Sequence, residues 1–223
     1  MPATSLRRIW LCADDYGLSQ GVNAAIRDLL ERGRINATSV MTMTPAFTRE
    51  EAASLAAIKA NSPGIAIGLH VTLTAPFRSL TESEAFQPVG AALRTSVMRR
   101  LGPESLAREA RAQILAFQDM FGAMPDFVDG HQHVQLFPQI REAVVTAVSE
   151  ALPQAWVRQC GRLTPLTARL ADRKGLLLDL LSSGFRKTAT RRGIGFNPGF
   201  AGSYDFNAGS EYAELFPRFL RNI

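Results

Sequence analysis

The chain has 223 residues, 46% of them hydrophobic and 20% charged, which is ordinary globular composition and enough length to bury one large core. Its net charge of +5 comes from arginines spread along the chain, with only short clusters such as Arg99-Arg100 and Arg191-Arg192. No groove-reading motif accompanies them, so nucleic acid is not an expected partner. The apolar run at residues 9–13 is too short for a secretory signal or a membrane span, and a cytoplasmic protein is expected. Cys12 and Cys160 lie far apart without C-x-x-C spacing, so they read as core thiols rather than as a disulfide or a thiolate metal site.

Residues 8–13 read as a short buried strand that ends at Asp14-Asp15-Tyr16-Gly17. Ser19 then caps a helix with Val22, Ala25, Ile26, Leu29 and Leu30 at helical spacing and Gly33 as its stop. Residues 35–43 are the second predicted strand, 48–60 an alanine-rich helix, and 65–73 a third strand after the break at Pro63-Gly64. From 74 to 102 the periodicity fails, and Pro76, Pro88 and Gly90 punctuate a long irregular excursion of the kind that covers binding sites. Helical spacing returns after Pro103, with Leu106, Ala110, Ile114, Phe117 and Phe121 on one face and Gly122 at the end. A strand at 126–136, a helix at 138–152, a short strand at 155–158 and a helix at 167–181 follow, then a short strand at 193–196 and a helix at 211–223.

Strands alternating with helices of this length predict an α/β fold with a parallel sheet, open or closed into a barrel. One domain, 1–223, is expected. In a βα repeat a helix ordinarily leads into another strand, so an ending at Ile223 implies an incomplete barrel or a missing C-terminal portion. Apolar positions near that end fit a homo-oligomer or an unstable terminus.

All three histidines, His70, His131 and His133, sit at or just beyond the ends of predicted strands, as do Asp14 and Asp15. Parallel α/β folds gather ligand and catalytic groups at those ends, which gives the five residues one expected location. For the adjacent carboxylates there are two readings. A divalent cation neutralises one and leaves the other as a base, or one caps the helix near Ser19 while the other faces water. His70, in an otherwise apolar strand, is either a satisfied core residue or a ligand. The i, i+2 spacing of His131 and His133 places both imidazoles on one face of an extended segment, and Gly130 allows close backbone approach. Asp129 either orients an imidazole or serves a turn. Imidazole and carboxylate ligands from several strands can form an open site with room for water. With no G-x-S-x-G elbow and no P-loop, serine hydrolases and nucleotide hydrolases are excluded.

Three motifs occur together: Ala13-Asp14-Asp15-Tyr16-Gly17-Leu18-Ser19, Ile67-Gly68-Leu69-His70-Val71-Thr72-Leu73 and Asp129-Gly130-His131-Gln132-His133-Val134. In their order and spacing the sequence resembles the YdjC-like carbohydrate deacetylases, which include chitooligosaccharide deacetylases and hopanoid-biosynthesis relatives. The resemblance is good over residues 8–145 and becomes diffuse beyond 160, where a glycine- and aromatic-rich segment at 195–206 is similar to the hopanoid-associated members. It implies a distorted TIM-like (β/α) barrel with a divalent ion, magnesium or alternatively zinc, held by Asp15, His70 and His131. Asp14 would be the general base acting on a water activated by the metal, and His133 the acid for the departing amine. The implied substrate is an N-acetylated amino sugar or oligosaccharide.

Two departures stand out. Gln135 replaces a further histidine of the family, and the chain ends before a later strand bearing a His-Pro pair. The leading expectation is a metal-dependent carbohydrate deacetylase. The alternatives are a metal-dependent hydrolase of another amide or ester, and a non-catalytic carbohydrate-binding remnant.

Overall fold

The computed structural model describes residues 9–163, 173–203 and 211–221. Five strands form one parallel sheet in chain order: β1 (Cys12–Tyr16), β2 (Ala37–Val40), β3 (Ala66–Val71), β4 (Phe127–Gly130) and β5 (Trp156–Val157). Parallel neighbours need long crossovers, and helices supply them. Helix α1 (Gln20–Glu31) joins β1 to β2, α2 (Arg49–Asn61) joins β2 to β3, α3 (Val89–Val97) and α4 (Pro103–Phe121) lie between β3 and β4, and α5 (Ile140–Ala151) precedes β5. Helices α6 (Arg173–Arg191) and α7 (Tyr212–Arg221) follow. The helix ends sit where local chemistry puts them. Ser19 Oγ accepts from Val22 N–H at 3.2 Å, Thr48 Oγ1 from Glu51 N–H at 3.3 Å, and Gly122 closes α4 in the left-handed conformation at φ 65°. No helix among the described residues is long and apolar enough to cross a membrane.

The sheet has two unlike faces. Ile67, Leu69 and Val71 of β3, with Val40, Val128 and Val157 from its neighbours, join the main core formed with the helices. Ala66, Gly68 and His70 alternate with them and point the other way. There Ala37, Ala66 and Phe127 make a small apolar cluster with Cys12 and Trp156, and the Phe127 and Trp156 rings stack at 4.8 Å. Asp129 is the registered partner of His70 one layer further on. This inner face therefore has an apolar floor and, toward the C-terminal strand ends, a polar rim.

Several predicted elements are corrected. The first strand runs Cys12–Tyr16 instead of 8–13, so Asp14 and Asp15 lie inside it; Arg8 is outside the described residues. The 74–102 excursion contains α3 and a small antiparallel pairing of Arg78 with Ala85. The strand expected over 126–136 ends at Gly130, and His131–Leu136 turns as a short 3-10 segment broken by left-handed Gln132 (φ 55°) and His133 (φ 61°). The helix expected over 167–181 is described from Arg173 and runs on to Arg191, its predicted start lying outside the described residues. The short strand expected at 193–196 is reduced to one parallel bridge between Gly195 and Trp156.

A Cβ at Gly68 would lie 2.5 Å from the Phe127 ring, which Trp156 already backs. Gly68→Ala is therefore expected to cost about 1–3 kcal/mol through overpacking. It should appear as a lower urea midpoint at unchanged slope.

Candidate metal centre

Asp15 is positioned by an irregularity in β1. Cys12 and Ala13 pair with Ala37 and Thr38, and Tyr16 then pairs with Val40, so β1 carries one residue more than β2 opposite it. Asp15 absorbs the excess with a left-handed φ of 66°. Regular pleating would send adjacent side chains to opposite faces, and the bulge brings both carboxylates to the polar rim. Flanking contacts hold it in place. Tyr16 is fully buried and its hydroxyl donates to the Glu51 carboxylate, which Arg27 also pairs. Gly17, at φ 102°, has Met41 O 2.9 Å from where a Cβ would be, and its N–H donates to Asn23 Oδ1 at 2.6 Å.

On the rim the two aspartates take different partners. Asp15 Oδ1 lies 3.0 Å from His70 Nε2 and 2.8 Å from His131 Nδ1, so two imidazoles from β3 and the end of β4 converge on one carboxylate oxygen. One ligand atom from each of these three residues lies within 4.8 Å of the others. Behind them His70 Nδ1 contacts Asp129 Oδ1 at 2.6 Å and Ser39 Oγ at 3.1 Å. Asp129 thus orients His70.

Asp14 is gripped by Arg158, with Nη1 to Oδ1 at 2.8 Å and Nη2 to Oδ2 at 2.5 Å, and the same Nη2 reaches Asp129 Oδ2 at 3.0 Å. Cys12, Asp14 and Asp129 could by distance form a second ligand group. The guanidinium already supplies positive charge there, which leaves the Asp15 group as the one suited to a cation.

Electrostatics agree with that division. Burial works to raise the Asp14 carboxyl, and the Arg158 guanidinium overrides it, holding the group well below the usual carboxylate range. Asp15 is likewise lowered against its burial, by hydrogen bonds from His131 and His70. Burial would depress His70, yet Asp129 and then Asp15 lift it to about 10. An oriented carboxylate and two convergent ring nitrogens fit a divalent ion.

His133 lies elsewhere. Left-handed backbone at Gln132 and His133 breaks the extended run that i, i+2 spacing assumed, so the two imidazoles do not share a face. His133 Nδ1 meets Cys160 Sγ at 3.4 Å, and its ring packs edge-on against Phe200. Burial, followed by the nearby Arg158, pushes His133 down to about 4, while burial pushes the Cys160 thiol up to about 12. Arg158 itself was not singled out from the sequence, although it ends the short strand predicted at 155–158 and so obeys the rule that located the other groups.

An α/β protein with carboxylates and imidazoles from separate strand ends facing a common point is the class that fold and site define. The chain belongs to the YdjC-like protein family, whose model matches residues 8–223. It is 33% identical over 143 residues to a chitooligosaccharide deacetylase of Escherichia fergusonii, covering 62% of this chain and 54% of the relative. A chitooligosaccharide deacetylase of Proteus mirabilis matches at 33% over 148 residues, covering 63% and 55%. The chain thus spans about half the length of the curated relatives it matches. A crystal structure from Enterococcus faecalis, described as a candidate cellobiose-phosphate cleavage protein, superposes with a TM-score of 0.67 at 19% identity, covering 97% of this chain and 76% of that one. That likeness shows the fold.

Arg158→Met would leave two carboxylates, one of them fully buried, without their counter-ion. The expected loss is about 3–5 kcal/mol, read as a lower unfolding midpoint. Cys160 is expected to resist iodoacetamide at pH 8 in the native protein and to react in denaturant, since its thiol is buried and kept protonated; mass spectrometry reads both states.

Proposed function

We propose that this chain is a carbohydrate deacetylase hydrolysing the acetamide of an N-acetylated amino sugar, with Asp15, His70 and His131 holding a divalent cation. The convergence of those three ligand atoms beside an Arg-gripped Asp14 carries the reading. Family membership and the names of the relatives supply the substrate class. Two imidazoles and a carboxylate suit zinc or a neighbouring transition metal better than magnesium, which prefers oxygen ligands and gives up its waters reluctantly. When bound, such a cation supplies Lewis-acid chemistry, polarising an amide carbonyl and making water a stronger acid.

The chain's own residues do the rest. Asp129 accepts from His70 Nδ1–H and so fixes the ring with Nε2 as the atom that a cation beside Asp15 would meet. Asp14 is the general base: the bidentate grip of Arg158 orients its carboxylate toward water and keeps it ionised, while making it a weaker base than a free carboxylate. A base held this acidic does not retain the proton and can pass it to the departing nitrogen. His133, whose Nδ1 meets Cys160 Sγ at 3.4 Å, has Nε2 as the ring atom left to face that nitrogen. The reading takes the chain as one domain, which the single sheet of β1–β5 supports over residues 12–157.

Metal-stripped protein given N-acetylglucosamine oligomers is expected to release acetate only after a divalent cation is restored, with zinc more effective than magnesium. His131→Ala should abolish both release and tight metal binding. Asp14→Asn should keep the metal and lose roughly 10²–10⁴-fold in rate. Metal binding without acetate release from any N-acetylated sugar would retain the site and overturn the substrate class.

A further inference from the structure

Two half-buried aromatic rings border the polar rim from different sides. Phe77 meets the edge of His131, with ring centroids 5.6 Å apart and planes at 83°. Phe200 meets His133 at 5.7 Å and 75°, and the Arg158 guanidinium carbon lies 5.6 Å from the Phe200 centroid. Phe77 therefore marks the side of the three ligand residues. Phe200 marks the side of Asp14, Arg158 and His133.

Each ring is carried by a loop anchored from behind. Residues 75–79 pair with 84–87 through Ala75 N to Gln87 O, Phe86 N to Phe77 O and Ser79 N to Glu84 O. The turn of this hairpin is tied to Glu109 of α4, 2% exposed, whose carboxylate accepts from Ser79 Oγ, Leu80 N, Thr81 N, Thr81 Oγ1 and Gln113 Nε2. Gln113 in turn pairs with both backbone groups of Thr72, two residues beyond His70. Five donors to one buried carboxylate make a fixed anchor, because each bond lost would leave buried charge less compensated.

The second loop is fixed by Asn197, which accepts from Gln159 N at 2.8 Å and donates to Gln159 O at 3.0 Å as a strand partner would. Phe200 N donates to Gly161 O at 3.0 Å. Phe77 is thereby tied to the strand of His70, and Phe200 to the segment leaving Arg158.

Resting on the deacetylase reading above, we propose that Phe77 and Phe200 are opposing walls of the substrate cleft and set its specificity. Phe77 limits the length of the acyl group, and Phe200 supports the apolar face of the pyranose ring. An amide whose carbonyl is held on the Asp15, His70 and His131 side directs its acyl carbon toward His131 and Phe77. Its nitrogen, and the sugar bonded to it, point toward Asp14, His133 and Phe200. A flat ring complements the C–H face of a pyranose, and an aromatic ring beside a ligand histidine leaves room for a methyl group before a longer chain. The ligand class is a short-acyl amino sugar in its ring form.

The full 223-residue protein, loaded with zinc, is to be assayed on N,N′-diacetylchitobiose and on its N,N′-dipropionyl counterpart. Phe77→Ala is expected to raise kcat/KM for the propionyl substrate relative to the acetyl one by about tenfold. Phe200→Ala should raise KM for both substrates by about tenfold and leave the acyl preference unchanged. Calorimetric titration should show wild-type zinc affinity in both, which separates a lost wall from a damaged centre. If an alanine variant does not fold, Phe77→Leu and Phe200→Leu keep apolar bulk without a flat face and should shift the same quantities in the same directions. A folded Phe77 variant with wild-type acyl preference, or a folded Phe200 variant with wild-type KM, overturns the inference and leaves the deacetylase reading standing. Absence of acetate release from the wild type overturns that reading and the inference with it.

Discussion

Adjacent residues of a regular strand face opposite sides of the sheet, and two neighbouring carboxylates can serve one site only if the strand is broken between them. The extra residue in β1 makes that break. Asp15 accepts a left-handed backbone, a conformation that aspartate tolerates better than most residues, and the reward is a second carboxylate on the rim. Buried Tyr16, paired with Glu51, and the crowded Gly17 keep the strand from sliding back into register. Without the bulge Asp15 would point into the apolar layer shared with Val40 and Leu69, and His70 and His131 would have no carboxylate between them.

Once both aspartates are on the rim, their charge has to be balanced inside the protein. Arg158, 8% exposed at its side chain, neutralises Asp14 and also touches Asp129. Asp129 has a second oxygen, and it goes to His70. One buried carboxylate therefore links the arginine that grips Asp14 to the imidazole that faces Asp15. Asp15 alone is left with imidazoles instead of a permanent cation, so the rim is balanced everywhere except at the point where the ligand atoms converge. A guanidinium at one aspartate and two imidazoles at the other put two chemically identical side chains in different environments.

Much of this was legible in the sequence, for physical reasons. Strand and helix periods located β2, β3, α1, α2, α4 and α5 to within a few residues, because caps such as Ser19 and Thr48 and the stop at Gly122 act locally. The rule that function gathers at C-terminal strand ends gives Asp14, Asp15, His70, His131 and His133 one location; Asp15, His70 and His131 do converge, and Arg158, at the end of the short strand expected over 155–158, obeys the same rule. The bulge left no such mark, since an Asp-Asp pair reads the same in a pleated strand and a broken one. Periodicity also failed at His131-Gln132-His133, where two left-handed residues send the second imidazole toward Cys160. The anchors of Phe77 and Phe200 were out of reach because Glu109 and Asn197 act over about thirty residues or more, through hydrogen bonds that no spacing pattern encodes.

Gln135 shows how a departure from the family pattern can be accommodated. The side chain is fully buried, its Nε2 donates to Arg158 O at 2.9 Å and lies 3.8 Å from Cys160 Sγ, and its Oε1 sits 2.6 Å from where a Cβ on Gly130 would be. An amide at this position ties the turn after β4 to the segment leaving β5, so it supports both Arg158 and the Cys160–His133 contact from behind. Both groups that its Nε2 meets lie behind the rim. A histidine placed there would have to satisfy Arg158 O through a ring N–H in a space bounded by Gly130.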